Sequence, residues 1–486
     1  MAHGFLSYST DQAFLLPPDP RDWLSADHLA YQVIDIVGEL DTSRYFASYG
    51  KDGRGAAPYS PLMMVGLLLY AWTRKLYSSR KIAALCRDDL GGRVVCGGCF
   101  PDHRTVNSFR MRHQGALNAL FKQSVDLCRE AGMVGLVEAA LDGTKIEASA
   151  SRRKAMSYSR MVDEEARVQA EIDGYFKRAA EEDAAEDALF GPDGSGLPAS
   201  GEIERRQNRL AKIRAAKAAI EAEAKAAADT RRRERAETEA AYEAKGRKPC
   251  GPPPKIDETP KPTAQRSFTD PECRIMKAAN GSYIQAYNAQ AVVDGKFQVI
   301  VACSLSWQAA DVPHLPEMLD QTITNVGVPN RILADPGYFS EENYAVAEAR
   351  GVQALIPPDR QRHGTPNSPC SPATPEEEAD MDFTERMRRR ISTAEGRTAY
   401  AKRKGIVEPV FGQTKGCAGH PGYLGFLRRG FEKCSAEWLW VCASHNILKY
   451  IRYKTAKAGG TLVVAPKRAN RNECSANRIQ FALEGV

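Results

Sequence analysis

The feature that most constrains how this chain can fold is a strand-like segment far from the strands it would need as partners. Residues 136–150 hold an apolar run that ends at Asp142 and is typical of a strand. Residues 157–188 and 201–245 are instead rich in Ala, Glu, Lys and Arg, which are strong helix formers. The next alternating pattern covers residues 283–293. Because a strand needs neighbours to be stable, we expect one sheet that a helical insertion interrupts after its first strand.

The segments after the insertion alternate strands with helices. The turn dipeptide Asp294-Gly295 separates two strands and predicts a hairpin. A helix over 312–326, a buried strand ending at Asp335, and a further helix and strand follow, before a helix that contains Glu408. Residues 359–385, rich in Pro, Ser and Glu, are predicted to be a loop. Without the insertion, this is the element order of an RNase H-like fold, so we predict a mixed α/β (α+β) protein with such a core.

Changes in composition divide the chain into five predicted parts. Gly- and Pro-rich stretches near 191–196 and 251–262 indicate a turn within the insertion and a linker at its end. The apolar stripe of the insertion is thin, so two antiparallel helices and a partly disordered arm both remain open. The predicted parts are an all-helical domain over 1–135, the first core strand over 136–150, the helical insertion and linker over 151–262, the rest of the core over 263–457, and a basic tail over 458–486.

Three acidic residues are the candidate catalytic group. Asp142 and Asp335 each end an apolar run, and Glu408 lies in a basic helical stretch. An isolated aspartate is usually a cap or a salt-bridge partner, but these three occur in the order that an RNase H-like fold brings together. Three carboxylates in one place would repel one another without cations. Hard ions such as Mg²⁺ or Mn²⁺ prefer oxygen ligands, and a pair of them can support phosphodiester cleavage.

The charge distribution indicates a polyanionic partner. The net charge of the whole chain is only +6. Residues 401–486 nevertheless hold 15 Lys and Arg against 5 Asp and Glu. A basic region on a near-neutral chain favours nucleic acid as the partner over a merely solvated tail.

The N-terminal helical region contains a second candidate DNA surface. Ser60-Pro61 predicts the start of a helix, and Asp102 is a candidate cap for a long helix. That helix holds the candidate DNA-binding residues Arg104, Arg110 and Arg112. Short helices, a turn and an Arg-bearing helix are typical of a helix-turn-helix reader. A dimerisation or packing domain with exposed arginines remains equally open.

Other sequence features bear on the compartment of the protein. The N-terminal residues lack the basic and apolar regions of a secretory signal, and no apolar span is long enough to cross a membrane. The 12 cysteines are scattered, which predicts reduced thiols in the cytoplasm. Cys96 and Cys99 lack the second ligand pair of a zinc site, so a Gly-rich turn is the favoured interpretation.

Several short motifs, taken together and in order, resemble the D,D,E transposases of bacterial insertion sequences. The resemblance is closest to the insertion-sequence family numbered eleven eighty-two and spans about residues 60–450. The segments that carry it are Pro101-Asp102-His103-Arg104-Thr105-Val106, Leu141-Asp142-Gly143-Thr144-Lys145, Thr269-Asp270-Pro271, Tyr287-Asn288-Ala289-Gln290, Asp335-Pro336-Gly337-Tyr338, and the stretch from Val407-Glu408-Pro409 to Lys415.

The resemblance implies a function and its cofactors. Asp142, Asp335 and Glu408 would be catalytic and would hold two Mg²⁺ (or Mn²⁺) ions per active site. The enzyme would nick the ends of its element, and the freed 3′-hydroxyl would attack target DNA by transesterification. Its partners would be double-stranded DNA, as terminal inverted repeats and as target, and a second protomer in a dimer on DNA. It would act in the bacterial cytoplasm at the nucleoid, with no membrane partner.

Related transposases carry a Tyr, Arg, Glu, Lys motif around the catalytic glutamate. Lys415 has the family spacing from Glu408, two helical turns along one face, and is predicted to contact a DNA phosphate. The Arg position is filled by Lys404, with Arg403 beside it, and Tyr400 is one residue out of register. We expect these residues to bind DNA, with a solvated basic helix face as the alternative.

Other functions and roles remain open. One alternative is a metal-dependent RNase H-like DNA nuclease, and another is a non-catalytic DNA-binding protein descended from a transposase. Tyr287, Asn288 and Gln290 are predicted either to support the metal site or contact DNA, or else to pack within a strand. Trp307 is predicted to pack in the core or to stack on a displaced base.

Overall fold

The computed structural model describes residues 19–47, 49, 57–151, 154–190, 201–244, 256–278, 280–359, 370–415 and 425–459. Several predicted features lie outside these residues. They are the Gly-rich turn at 191–196, the Pro-rich stretch at 251–254, residues 360–369 of the predicted loop and nearly all of the basic tail.

Seven α-helices, preceded by a short 3-10 helix at Pro20–Trp23, form the described N-terminal region. Pro61 occupies the first position of the third helix, as predicted, and nearly all of that helix is buried. The Trp72 ring stacks on the Trp440 ring, with 5.2 Å between the ring centroids. The N-terminal helices therefore share one apolar core with the rest of the chain. The seven are α1 (Leu29–Glu39), α2 (Ser43–Phe46), α3 (Pro61–Thr73), α4 (Ser79–Asp88), α5 (Leu90–Val95), α6 (His103–Arg112) and α7 (Gln114–Glu130).

Eight strands form two sheets in the described chain. In the larger sheet the order is β6-β5-β1-β7-β8, and β4 pairs with the start of β5. β5 is antiparallel to β1 and β6, whereas β7 and β8 run parallel to β1. This mixed sheet confirms the predicted mixed α/β class. The strands are β1 (Glu138–Glu147), β2 (Ala155–Ser157), β3 (Gln265–Ser267), β4 (Arg274–Lys277), β5 (Tyr283–Asp294), β6 (Ile300–Ser306), β7 (Arg331–Ala334) and β8 (Gln353–Leu355).

Two long helices, α8 (Tyr158–Phe190) and α9 (Gly201–Ala244), separate β1 from its partner β5. They run antiparallel and are joined by ion pairs such as Arg209–Glu164 at 2.5 Å and Arg214–Glu165 at 2.9 Å. Their base is the small β2-β3 sheet, where the Tyr158 N–H donates to the Ala264 carbonyl at 2.8 Å. The chain therefore enters α8 and returns from α9 at nearly the same point, beside the β2-β3 sheet.

The remaining helices surround the larger sheet. α12 lies within the stretch predicted to be a loop, where Thr374 and Glu377 form a capping box and Pro375 occupies the first turn. No helix in the described parts of the chain is both long enough and apolar enough to span a membrane. The six helices are α10 (Leu315–Val326), α11 (Glu341–Ala349), α12 (Pro375–Asp380), α13 (Phe383–Ser392), α14 (Ala394–Lys415) and α15 (Phe431–Lys457).

Candidate active site

Two aspartates lie side by side at the carboxyl end of β7 and at the matching point of β1. In the parallel ladder Leu141 pairs with Ala334, and the next residues are Asp142 and Asp335. Neighbouring strands in a sheet are about 4.8 Å apart, so the two carboxylates belong to one site. Asp335 also accepts a hydrogen bond from the Gly337 N–H at 2.9 Å, which fixes the turn after β7.

Burial sets the protonation of Asp142. Loss of solvent raises the pKa of its carboxyl to about 6, and the charge of nearby Asp335 adds to the increase. Arg403 opposes both effects, because its Nη1 atom lies 3.2 Å from Asp142 Oδ2. Asp142 Oδ1 accepts from the Gly143 N–H at 2.8 Å. The site thus holds two close carboxylates that one arginine only partly neutralises.

Helix α14 brings the basic side chains to this site. Arg403, Val407, Val410 and Thr414 are buried on the face that packs toward the sheet. At the end of the helix, Lys415 Nζ donates to the Lys145 carbonyl at 3.1 Å. Burial lowers the pKa of Lys415 to about 8, and the charge of Asp142 partly offsets that decrease. Arg403 of this helix therefore contacts Asp142 directly, and Lys415 acts on it electrostatically from the neighbouring part of β1.

Glu408 lies on the exposed side of the same helix. Among the residues that the structure describes, no three His, Cys, Asp or Glu side chains are close enough to hold a metal ion together. The structure therefore brings Asp142 and Asp335 together. It places Glu408 on the helix that contacts Asp142, and the prediction that Glu408 completes a metal site stays a prediction.

Helix α14 lacks one of its backbone hydrogen bonds, and a side chain from another part of the chain replaces it. Pro409 has no N–H to donate to the Gly405 carbonyl, four residues earlier. Gln298 Nε2 donates to that carbonyl instead, at 2.9 Å. Gln298 lies in the β5-β6 turn with a φ of +58°, and its Oε1 accepts from Lys449 Nζ at 2.9 Å. One side chain thus joins the hairpin turn, α14 and α15.

The basic motif of α14 differs in register from the prediction. Arg403 contacts Asp142, and its guanidinium lies 6.0 Å from the centre of the Tyr400 ring. Lys404, which the family spacing placed in the arginine position, is exposed. Each residue turns the helix by about 100°, so only one of two adjacent residues can face the sheet. Arg403, not Lys404, is the basic residue at the site.

The arginines of α6 divide into two kinds. Asp102 Oδ1 caps the helix by accepting from the Thr105 N–H at 2.6 Å, as predicted. Arg104 and Arg112 are exposed, and the Arg112 guanidinium lies 5.5 Å from the Tyr49 ring centre. Arg110 is only 8% exposed and donates to the Tyr77 carbonyl at 2.9 Å. Arg110 is therefore a packing residue, and its assignment to a DNA surface is corrected.

One site residue, Asp311, was missed from the sequence. It precedes a helical segment and looks like a helix cap, but its side chain makes no capping hydrogen bond within the described chain. Asp311 Oδ1 instead accepts from Lys145 Nζ at 3.0 Å, Asn288 Nδ2 at 2.7 Å and Gln290 Nε2 at 2.9 Å. The only sequence signal was the alternation that placed Asn288 and Gln290 on one face of a strand.

Two other motifs have structural roles. Asp270 is fully buried and accepts from the Tyr287 hydroxyl at 2.9 Å and from the Gly430 N–H at 3.3 Å, just before α15. Trp307 is 46% exposed, and its ring meets the Phe431 ring edge-on, with 4.6 Å between the centroids. The alternative that placed Trp307 in the core is therefore wrong.

Two family models match this chain. A model described as "Transposase domain (DUF772)" matches residues 18–112, and one described as "Transposase DDE domain" matches residues 255–447. The second match includes Asp335 and Glu408 and begins after the α8-α9 pair, whereas Asp142 lies before that pair. No curated protein and no solved structure matches the chain.

Proposed function

The chain belongs to the DDE transposases of insertion sequences, and from this premise we propose that it binds the terminal inverted repeats of its element and cuts and joins DNA there. A DDE domain implies an RNase H-like core. In our proposal this core consists of 136–150 and 263–457, and 151–262 is an insertion into it. The observation that carries the proposal is the pairing of Leu141 with Ala334, which sets Asp142 beside Asp335.

The residues at the site suit divalent ions. The Asp142 and Asp335 carboxylates are hard oxygen donors, which Mg²⁺ and Mn²⁺ prefer. The fully buried Asn288 Oδ1 has no hydrogen-bond partner among the described residues and adds an unmet acceptor nearby. We assign Asp142, Asp335 and Glu408 to two such ions. When bound, these ions would supply activation of the attacking water or hydroxyl and stabilisation of the leaving oxygen.

The side chains around the aspartates would position the DNA. Lys415 and Arg403 are cations beside Asp142, and in the proposal they attract a backbone phosphate to the carboxylate pair. Tyr400 supports Arg403 through its ring, and Lys404 extends the basic surface. Arg104 and Arg112 on α6 would contact DNA farther from the site. Two ends must be cut and joined together, so we expect a dimer with one active site for each end.

The experiment is a cleavage and strand-transfer assay with a labelled element end and Mg²⁺. Asp335→Asn keeps an oxygen that can accept from the Gly337 N–H but removes the charge. It should bind DNA normally and produce no nick. Asp320→Asn, which alters an exposed acid on α10 that pairs with Arg350, is the matched control and should cut normally. Normal cutting by Asp335→Asn would contradict the site, and cutting without joining by the unmodified chain would favour a nuclease.

A further inference from the structure

Asp311 is the centre of a hydrogen-bonded group next to the two aspartates. One of its oxygens, Oδ1, accepts from Lys145, Asn288 and Gln290 at 3.0, 2.7 and 2.9 Å. In the β1-β5 ladder Lys145 pairs with Asn288, and Gly143 pairs with Gln290. Hydrogen bonds to a charged group are stronger than those between neutral groups. Asp311 belongs to neither β1 nor β5, and it orients side chains of both strands.

The same carboxylate occupies the space that the missing side chain of Gly143 leaves open, and it lies near Gly337. A methyl group at Gly143 would lie 2.8 Å from Asp311 Oδ1 and 2.5 Å from Gln290 Nε2. A methyl group at Gly337 would lie 3.5 Å from Asp311 Oδ2. Gly143 follows Asp142 directly, and Gly337 is two residues after Asp335. Asp311 is thus packed between the chain segments that hold the two aspartates.

Gln290 extends the group to the turn after β7. Its Oε1 accepts a close hydrogen bond from the Tyr338 hydroxyl, and the Tyr338 side chain is fully buried. Asn288 extends it in another direction, because its Nδ2 donates both to Asp311 and to the Gln308 carbonyl. These bonds orient the amide so that Asn288 Oδ1 faces Gly143, 3.1 Å from where a methyl group on that glycine would lie. This oxygen is buried and has no hydrogen-bond partner in the described chain.

We propose that Asp311 is a positioning residue that sets the spacing of Asp142 and Asp335 for cation binding, through Lys145, Asn288, Gln290 and the two glycines. The proposal rests on the proposed function and adds to it a residue outside the three acids. Residues that orient metal ligands from behind typically change metal affinity about 10- to 100-fold when they are altered.

The test uses the full chain and two measurements. Asp311→Asn preserves the size of the side chain and removes its charge, and Asp320→Asn is the control. Direct Mn²⁺ binding without DNA, followed by electron paramagnetic resonance, should weaken about tenfold or more in Asp311→Asn. The Mg²⁺ concentration that gives half-maximal cutting should rise by a similar factor, whereas the maximal rate should change less. The control should match the unmodified chain in both.

A double-mutant cycle tests whether Asp311 acts through its partner. If it does, Lys145→Met combined with Asp311→Asn should weaken Mn²⁺ binding no more than the stronger single change does, because both remove one interaction. Additive losses would overturn the proposal. So would unchanged Mn²⁺ affinity in Asp311→Asn with a lower melting temperature, because that result indicates a purely structural residue. An unmodified chain that neither binds Mn²⁺ nor cuts DNA would instead refute the proposed function itself.

Discussion

At the scale of single residues, the negative charge of the Asp142 carboxylate is in an unfavourable environment. Asp142 is mostly buried and lies beside Asp335, and among the described residues Arg403 alone forms an ion pair with it, so its carboxyl holds a proton more tightly than it would in water. A cation at the site would relieve this cost and would compete with the proton. Arg403 partly takes that role in the structure described here.

The first prediction concerns the pH dependence of stability without divalent ions. The folded pKa of Asp142, about 6, is above the ordinary value of 3.8. The folded state therefore binds the proton more tightly, and the stability from this group is complete below about pH 4 and is lost as the pH rises through 6. When the pH is lowered from 7.5 to 5, the unfolding free energy of the unmodified chain should increase by about 1 kcal/mol relative to that of Asp142→Asn. Urea unfolding at both pH values measures this difference, and an unchanged difference would contradict the raised pKa.

At the scale of secondary-structure elements, α14 is held by a contact that replaces a missing helical bond. Pro409 has no N–H to donate to the Gly405 carbonyl. This carbonyl accepts a hydrogen bond from the Gln298 side chain instead. This contact joins the β5-β6 turn to the helix that bears Arg403, Glu408 and Lys415. The Gln298 contact is therefore one of several that hold α14 in place, together with the Lys402–Glu138 and Arg403–Asp142 ion pairs.

The second prediction tests that contact. Gln298→Asn tolerates the positive φ but has a shorter side chain, so it should break the hydrogen bond to the exposed Gly405 carbonyl and lower stability by about 0.5–1 kcal/mol. Adding Pro409→Ala restores a backbone donor for this carbonyl and should recover part of the loss. Thermal unfolding of the two single variants and the double variant measures the effect. Equal losses in Gln298→Asn with and without Pro409→Ala would rule out this explanation.

The sequence predicted the element order well because strand ends depend on local patterns. Asp142 and Asp335 each end an apolar run, and the parallel ladder then places them together. Whether Arg403 or Lys404 faces the sheet depends on the rotation of α14 against the sheet, which the family spacing did not settle. Arg110 looked exposed because its burial depends on distant packing against Tyr77. Asp311 was missed because its hydrogen-bond partners are on strands that are distant from it in sequence.

At the scale of the whole molecule, the α8-α9 pair is attached at one narrow point. β2 and β3 pair at its base, and a small apolar cluster of Met156, Met161, Ile213, Ala216 and Ile220 is separate from the main core. The N-terminal helices, in contrast, share the main core through Trp72 and Trp440. The insertion thus has a separate apolar cluster, and Glu223 of α9 also pairs with Arg266 of β3 and Arg274 of β4.

The third prediction is that the insertion can be removed. Tyr158 and Ala264 are hydrogen-bonded neighbours, so a short Gly-containing turn should replace residues 159–263 and keep β2 paired with β3. The shortened chain should unfold cooperatively and bind Mn²⁺ as the full chain does. Circular dichroism and Mn²⁺ titration measure both properties. An unfolded product would mean that the insertion is an integral part of the core.

In our proposal Asp142, Asp335 and Glu408, which are distant in sequence, hold ions in one site. Fe²⁺ prefers similar ligands to Mn²⁺ and, with peroxide and a reductant, cuts the protein backbone close to where it binds. Mapping these cuts on the full chain is the most direct test. If the three acids share one site, cuts should appear near all three, and Asp335→Asn should abolish all of them together. Cuts near only one acid, or an Asp335→Asn variant still cut near Asp142, would contradict a shared site.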